Sequence, residues 1–217
     1  IIWLGIIFFL GIIFYGLFFS AFLRVSVIEV LEANDLDARE IESLARLQLE
    51  GKYLNFIRKN NLILVKTEAI KTAILGEFRK IEELNIKKKF PNKLIISIKE
   101  RELAIIVCGE MCYAVDTTGK IYDEMSLEEE ENHNLQELPV LQDGANKNFQ
   151  LQETILAPAY IQYINDAREK LSSDLEIEIE RELFTPQLIS GDIRAKTKEG
   201  WSIYLDKSIS LEKSVKK

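Results

Sequence analysis

Cys108-Gly-Glu-Met-Cys112 holds both cysteines of the chain. Two thiols at this spacing can bind a soft metal, join as a disulfide, or stay reduced. A structural zinc site needs four ligands, and the only histidine, His133, lies apart in the acidic tract Glu-Glu-Glu-Glu-Asn-His-Asn. No metal is expected. If the segment is a hairpin, a two-residue turn at Gly109-Glu110 sets Cys108 opposite Met111. A three-residue turn sets the cysteines opposite each other. We expect free, partly buried thiols, with the disulfide as the alternative. Asp116 and Asp123 form a possible carboxylate pair, but Asp116 in Asp-Thr-Thr-Gly fits a turn better. Nucleophilic catalysis needs a base beside its nucleophile, and none is placed by this sequence. No catalytic residue, cofactor or small-molecule substrate is expected.

The stretch Pro-Asn-Lys-Leu-Ile-Ile-Ser-Ile-Lys-Glu-Arg-Glu-Leu-Ala-Ile-Ile-Val, residues 91–107, raises a different question. Leu94, Ile96 and Ile98 alternate with Lys93, Ser97 and Lys99, the period of a half-buried strand. Glu100, Arg101 and Glu102 then interrupt it, and a second apolar run begins at Leu103. We read Glu100 and Arg101 as a domain junction, solvated because neither core covers it. The competing reading is one continuous sheet with a charged bulge.

Residues 1–23 carry no charge. As a helix they would extend roughly 34 Å at about 1.5 Å per residue, enough for a hydrocarbon core of about 30 Å. A signal peptide has a shorter apolar region of about 7–15 residues before a small-residue cleavage site. Here Gly5, Gly11, Gly16 and Ser20 are scattered instead, and no polar face marks a buried core helix. Residues 1–23 are expected to cross a lipid bilayer. The chain starts at Ile1 rather than Met and is read as lacking an N-terminal tail, so flanking charge does not set its orientation. Every Asp, Glu, Lys and Arg follows this segment, and the net charge is −7. That balance argues against nucleic acid as a partner.

Beyond the apolar segment, β-branched residues suggest a strand at 25–32. Asp37 and Glu40 resemble a capping box for a helix that ends near Gly51. Thr67 is a candidate cap for a second helix, whose apolar stripe would be Ile70, Ala73, Ile74, Phe78 and Ile81. Strands at 83–90 and 93–101 complete a β-α-α-β-β order. Three short strands follow between 103 and 125, then an acidic loop at 126–137 and a short strand near Val140. A helix is expected at 153–171, with Pro158 kinking it or sitting in its first turn near Ala157. Three more strands would be Leu-Glu-Ile-Glu-Ile-Glu-Arg-Glu-Leu, Gln-Leu-Ile-Ser-Gly-Asp-Ile-Arg-Ala-Lys-Thr-Lys and Gly-Trp-Ser-Ile-Tyr-Leu-Asp. In the first, Leu175, Ile177 and Ile179 would face the core, and Glu176, Glu178 and Glu180 the solvent. The last residues read as the first turns of a helix. The fold class is α+β: a transmembrane helix at 1–23, a small α+β domain at 24–101, and a β-rich domain with one long helix at 102–217.

This order resembles the FtsQ/DivIB family of bacterial cell-division proteins, whose first soluble module is a POTRA domain. Ile-Glu-Val-Leu-Glu-Ala-Asn-Asp, 28–35, is similar to the family's first strand, usually Ile-x-Val-x-Gly-Asn, although the glycine is absent here. Gly-Lys-Tyr-Leu-Asn-Phe, 51–56, resembles the glycine and apolar run after the first helix. Phe90-Pro91-x-x-Leu94-x-Ile96-x-Ile98-x-Glu100-Arg101-x-Leu103-Ala104 resembles the Pro-x-x-Leu strand and Glu-Arg junction. Val-Asp-Thr-Thr-Gly-Lys-Ile-Tyr, 115–122, resembles the following Val-Asp-x-x-Gly. Leu138-Pro139 and Gly200-Trp201 fit later positions more loosely.

The resemblance implies a non-enzymatic, single-pass inner-membrane scaffold with its soluble part outside the cytoplasm, enriched at the septum. It implies FtsB- and FtsL-type partners and a role in regulating septal peptidoglycan synthesis. Family members continue past the Gly200-Trp201 strand into a helix and a final strand, onto which FtsB adds a strand of its own. The present sequence ends earlier and reads as truncated or rebuilt there. Trp201, Ile203 and Tyr204 are therefore the candidate partner-binding residues. A POTRA-type chaperone for exported or outer-membrane polypeptides is the alternative, and a membrane-anchored enzyme or ligand-binding protein a more distant one.

Overall fold

The computed structural model describes residues 2–53, 57–125 and 137–207. His133, most of the acidic tract, residues 54–56 and the last ten residues lie outside them, and with them the C-terminal helix expected from sequence. The described chain is a mixed α+β structure in two compact units, Ile1–Glu100 and Arg101–Lys217.

The first unit opens with an apolar helix, α1 (Ile2–Phe18), shorter than the sequence suggests. Ser20 breaks it: its hydroxyl accepts from the Phe22 N–H and starts a 3-10 turn at Ala21–Leu23. Leu23 is already buried, and its carbonyl accepts from the Leu62 N–H at 2.7 Å. Trp3–Leu23 remains long and apolar enough to cross a membrane.

Next come β1 (Val27–Leu31), α2 (Ala38–Gln48), a small hairpin β2 (Lys52–Tyr53) and β3 (Ile57–Arg58), α3 (Thr67–Glu77), β4 (Ile81–Lys89) and β5 (Lys93–Glu100). Three strands form one sheet in the order β1-β5-β4, with β1 parallel to β5 and β4 antiparallel to it. The period-2 pattern works as expected. Leu94, Ile96 and Ile98 of β5 are essentially fully buried, and Ile41, Ala45, Ile70 and Ile74 of the two helices close the core over them. Asp37 caps α2, its carboxylate accepting from the Arg39 N–H at 2.7 Å. Thr67 does not cap α3: Lys66 holds that position without a side-chain bond. The stripe expected to run to Ile81 stops at Glu77, because Phe78 leaves helical geometry and Ile81 begins β4. Glu32 carries a positive φ of 63°. Glycine is the residue that reaches this conformation without strain.

In the second unit, β6 (Leu103–Cys108), β7 (Cys112–Asp116) and β8 (Ile121–Met125) form the expected meander. β9 (Val140–Asp143) lies between β6 and β10 (Ile179–Thr185), parallel to both. β11 (Asp192–Thr197) and β12 (Ser202–Asp206) complete a seven-stranded sheet, order β12-β11-β10-β9-β6-β7-β8. The strand and helix near residue 175 differ from expectation. Pro158 occupies the first turn of α4 (Pro158–Leu175), which needs no N–H there, and the helix runs on to Leu175. Glu176 ends it in the left-handed region, and the Ile177 N–H bonds the Leu171 carbonyl at 2.9 Å. Leu175 and Ile177 therefore belong to the helix and its cap, and only Ile179 onward to the strand. Tyr160, Ile161, Ile164 and Ala167 pack α4 onto the sheet, and Leu171 is buried further along the helix.

Gly119 in the Val-Asp-Thr-Thr-Gly turn has φ +82°, and a Cβ there would stand 1.8 Å from the Leu156 carbonyl oxygen. Left-handed strain and overpacking together predict that Gly119→Ala destabilises the second unit by about 2–5 kcal/mol. Glu32→Gly should do the opposite in the first unit, adding about 0.5–1 kcal/mol as strain is relieved against a freer unfolded chain. Denaturant unfolding followed separately for the two units measures both.

Candidate functional site

The chain passes from one sheet to the other between β5 and β6, so the charged interruption at 100–102 is where the sheets part. Glu100 faces back into the first unit. Its Oε1 accepts from three successive backbone N–H groups, those of Asn34, Asp35 and Leu36, at 2.7, 3.0 and 3.3 Å. Lys80 lies 3.9 Å from its other oxygen and pairs with Asp35 at 2.5 Å. Arg101 faces the second unit, where its guanidinium donates to Asp116 at 2.5 Å. The side chains of Glu100 and Arg101 are only 10% and 12% exposed. The expected solvation is thus wrong. Their partners lie far along the chain, beyond what a local reading of three consecutive charges can see.

Asp116 is the center of a compact network. Besides Arg101 it accepts from the Thr118 N–H at 2.8 Å, the Thr118 hydroxyl at 2.5 Å and the Lys120 N–H at 3.1 Å. Burial alone would favour its neutral form. The hydrogen bonds from Thr118, Lys120 and Arg101 outweigh burial and hold the carboxyl below its ordinary value. Asp116 is thus a structural turn residue, as its position suggested. Asp123 is exposed and accepts from the Glu124 N–H at 3.0 Å. Among the described residues no cluster of three His, Cys, Asp or Glu side chains suits a metal.

The cysteines are joined, contrary to the expectation of free thiols. β6 and β7 are linked by the three residues Gly109, Glu110 and Met111, so Cys108 faces Cys112 directly and the two form a disulfide. A Cβ on Gly109 would meet the Lys147 carbonyl oxygen at 2.6 Å, so the turn admits no side chain there.

β12 pairs on one side, with β11, and among the described residues nothing pairs on its other side. Its candidate contact residues divide by face. Ile203 packs partly against the core under α4, whereas Tyr204 points outward and is 71% exposed. Trp201 precedes the strand, half-exposed, its indole N–H donating to Glu199 at 3.0 Å. Strand register adds a feature the sequence reading missed. Phe184, Arg194 and Tyr204 lie opposite one another on neighbouring strands, and the Arg194 guanidinium sits 5.5 Å and 4.9 Å from the two ring centers. Such cation–π contacts stiffen a polar face. With Pro186 and Asp192 these residues line a small groove of about 240 Å³. The Tyr163 hydroxyl donates to the Asp206 carbonyl at 3.1 Å, tying the end of β12 to α4.

Residues 23–101 match the family model of the POTRA domain, FtsQ-type. The first soluble module is therefore an FtsQ-type POTRA domain, with its β-α-α-β-β order intact. The match ends where the chain leaves β5 and does not extend into the strands of the second unit. Among curated proteins none matches the chain.

Asp116→Asn should lower the stability of the second unit by about 2 kcal/mol at neutral pH, because charged hydrogen bonds are lost. A carboxyl held below its ordinary value stabilises the fold above the unfolded pKa of about 3.9, and that stability fades as pH falls through the folded value. The gap between the parent protein and the variant should close only in strong acid, which stability curves measured across pH will show.

Proposed function

We propose that this protein is a single-pass scaffold of the bacterial cell-division machinery. α1 crosses the inner membrane, and the soluble units stand on its extracytoplasmic side at the septum. There they bind FtsB- and FtsL-type subunits and help to regulate septal peptidoglycan synthesis. The observation that carries the reading is an FtsQ-type POTRA domain immediately after a membrane-length apolar helix. Confinement of scaffold and partners to one membrane raises their effective concentration, so modest affinities suffice.

Binding would use strand addition at β12. An added strand takes affinity from main-chain hydrogen bonds and specificity from side chains beside the edge. Trp201 and Tyr204 are the exposed side chains there, and Ile203 fixes the strand from the core side. Glu100 and Arg101 mark the junction between the two domains, each side chain tied into its own.

Tagged protein in dividing cells of its source should form a midcell band, and depletion should give filaments. A uniform membrane signal with normal division on depletion would reject the reading and favour a chaperone for exported polypeptides. In a binding assay with an FtsB-type segment, Trp201→Glu together with Tyr204→Glu should weaken association about tenfold or more, since charge at the edge opposes pairing. Unchanged affinity would move the contact away from β12.

A further inference from the structure

Four residues past the end of α1, Phe22 stands 59% exposed. Phe90, at the tip of the β4–β5 turn, is 69% exposed, and the two rings meet edge to face with centers 5.5 Å apart. The turn is fastened to the chain that leaves the helix. The Ser26 and Val27 N–H groups donate to the Asn92 carbonyl at 2.9 and 3.4 Å, and the Asn92 amide donates to the Ser26 hydroxyl at 2.8 Å.

A third apolar residue is held close to the end of the same helix. Asn61, almost completely buried, donates its amide to the Leu17 carbonyl at 2.7 Å, a group the last turn of a helix leaves unsatisfied. Its oxygen accepts from the N–H of Ile63, which is half-exposed. The Lys88 ammonium reaches the Ile63 carbonyl at 3.2 Å. Lys87, Lys88 and Lys89 are all exposed and lead directly to Phe90, three consecutive cations in a chain of net charge −7.

The position of this patch identifies what covers it. Four residues span at most about 14 Å, and the polar layer on each side of a bilayer is about 5–7 Å deep. α1 covers about 26 Å of a hydrocarbon core of about 30 Å, so Phe22, near the end of the apolar Trp3–Leu23 segment, falls at the border between hydrocarbon and headgroups. Aromatic rings with cations beside them suit that layer, where apolar bodies sink and charged heads meet lipid phosphates.

We propose that Phe22, Phe90 and Ile63, flanked by Lys87, Lys88 and Lys89, seat the POTRA domain on anionic phospholipid of the leaflet from which it emerges. The proposal rests on α1 crossing a membrane, and it adds a second, surface attachment to that anchor. Each lysine near an anionic surface strengthens attachment about fivefold, so the seat depends on lipid charge. The POTRA domain is thereby held in one orientation on the membrane.

The test uses the full chain in nanodiscs of phosphatidylethanolamine with phosphatidylglycerol, and in discs of phosphatidylcholine alone. A spin label is placed by Lys89→Cys, which gives up one cation of the seat but keeps Lys87, Lys88, Ile63 and both phenylalanines, or by Glu83→Cys toward the far end of β4. In anionic discs, collisions with a water-borne nickel chelate should fall several-fold at position 89 relative to position 83. The protection should weaken in phosphatidylcholine, and Phe22→Ser with Phe90→Ser should abolish it. Both phenylalanines are exposed, so that variant keeps its core. Equal collision rates at the two positions in discs that retain the chain would overturn the surface contact and leave the anchor standing. Protection insensitive to lipid charge and to the double variant would overturn it as well. A chain that the discs fail to retain would overturn the anchor and the seat together.

Discussion

Two consecutive side chains, Glu100 and Arg101, are committed to different hydrophobic cores. Glu100 gathers three backbone N–H groups from the segment between β1 and α2, and Arg101 holds the carboxylate that organises the turn after β7. Each bond is charge-assisted, and the Glu100 and Arg101 side chains that make them are largely covered, a setting that strengthens such bonds. The backbone between β5 and β6 is thereby fixed at both ends. Each sheet starts or stops its strand at a defined residue, and neither strand can slide without exposing an ion or breaking its register.

The second unit follows from the same constraint. Asp116 shapes the Asp-Thr-Thr-Gly turn, and Gly119 at its end lies against the backbone at Leu156. The Ile155 and Leu156 N–H groups both donate to the Gly119 carbonyl. This contact sets the chain just before Pro158, where α4 begins, and α4 covers the sheet whose outer strand is β12. A partner-binding edge at β12 would thus be positioned by an ordinary turn on the other half of the sheet.

Much of this was legible in the sequence. Alternation in β5, the apolar faces of α2 and α3, and the turn signals around β6 to β8 each express a period that depends on near neighbours only. The misreadings have the opposite character. Glu100 and Arg101 look solvated until partners 64–66 and 15 residues away are known. Thr67 looks like a cap until Lys66 is seen to hold the position. Leu175 and Ile177 alternate with glutamates as a strand would, yet the helix runs to Leu175 and the Ile177 N–H closes it on the Leu171 carbonyl. The disulfide depended on one residue of turn length, which Cys-x-x-x-Cys leaves open. At the edge, Trp201, Ile203 and Tyr204 were legible only as members of the last strand, whereas their division by face and the Phe184–Arg194–Tyr204 ladder required the register of three strands.

The short strand β9 has a consequence for how the large sheet comes together. β6 to β8 and β10 to β12 are each stitched by local antiparallel pairing, so either trio can form from its own stretch of chain. β9 supplies four residues that run parallel to a neighbour from each trio, and these pairings alone join the halves within the sheet. Parallel pairing across long separations closes late, because the intervening chain must be ordered first. The sheet therefore has a keystone: until Val140–Asp143 drops into place there are two half-sheets, each with a raw inner edge. The β12 side of the molecule then acquires its final stiffness only in the last act of folding.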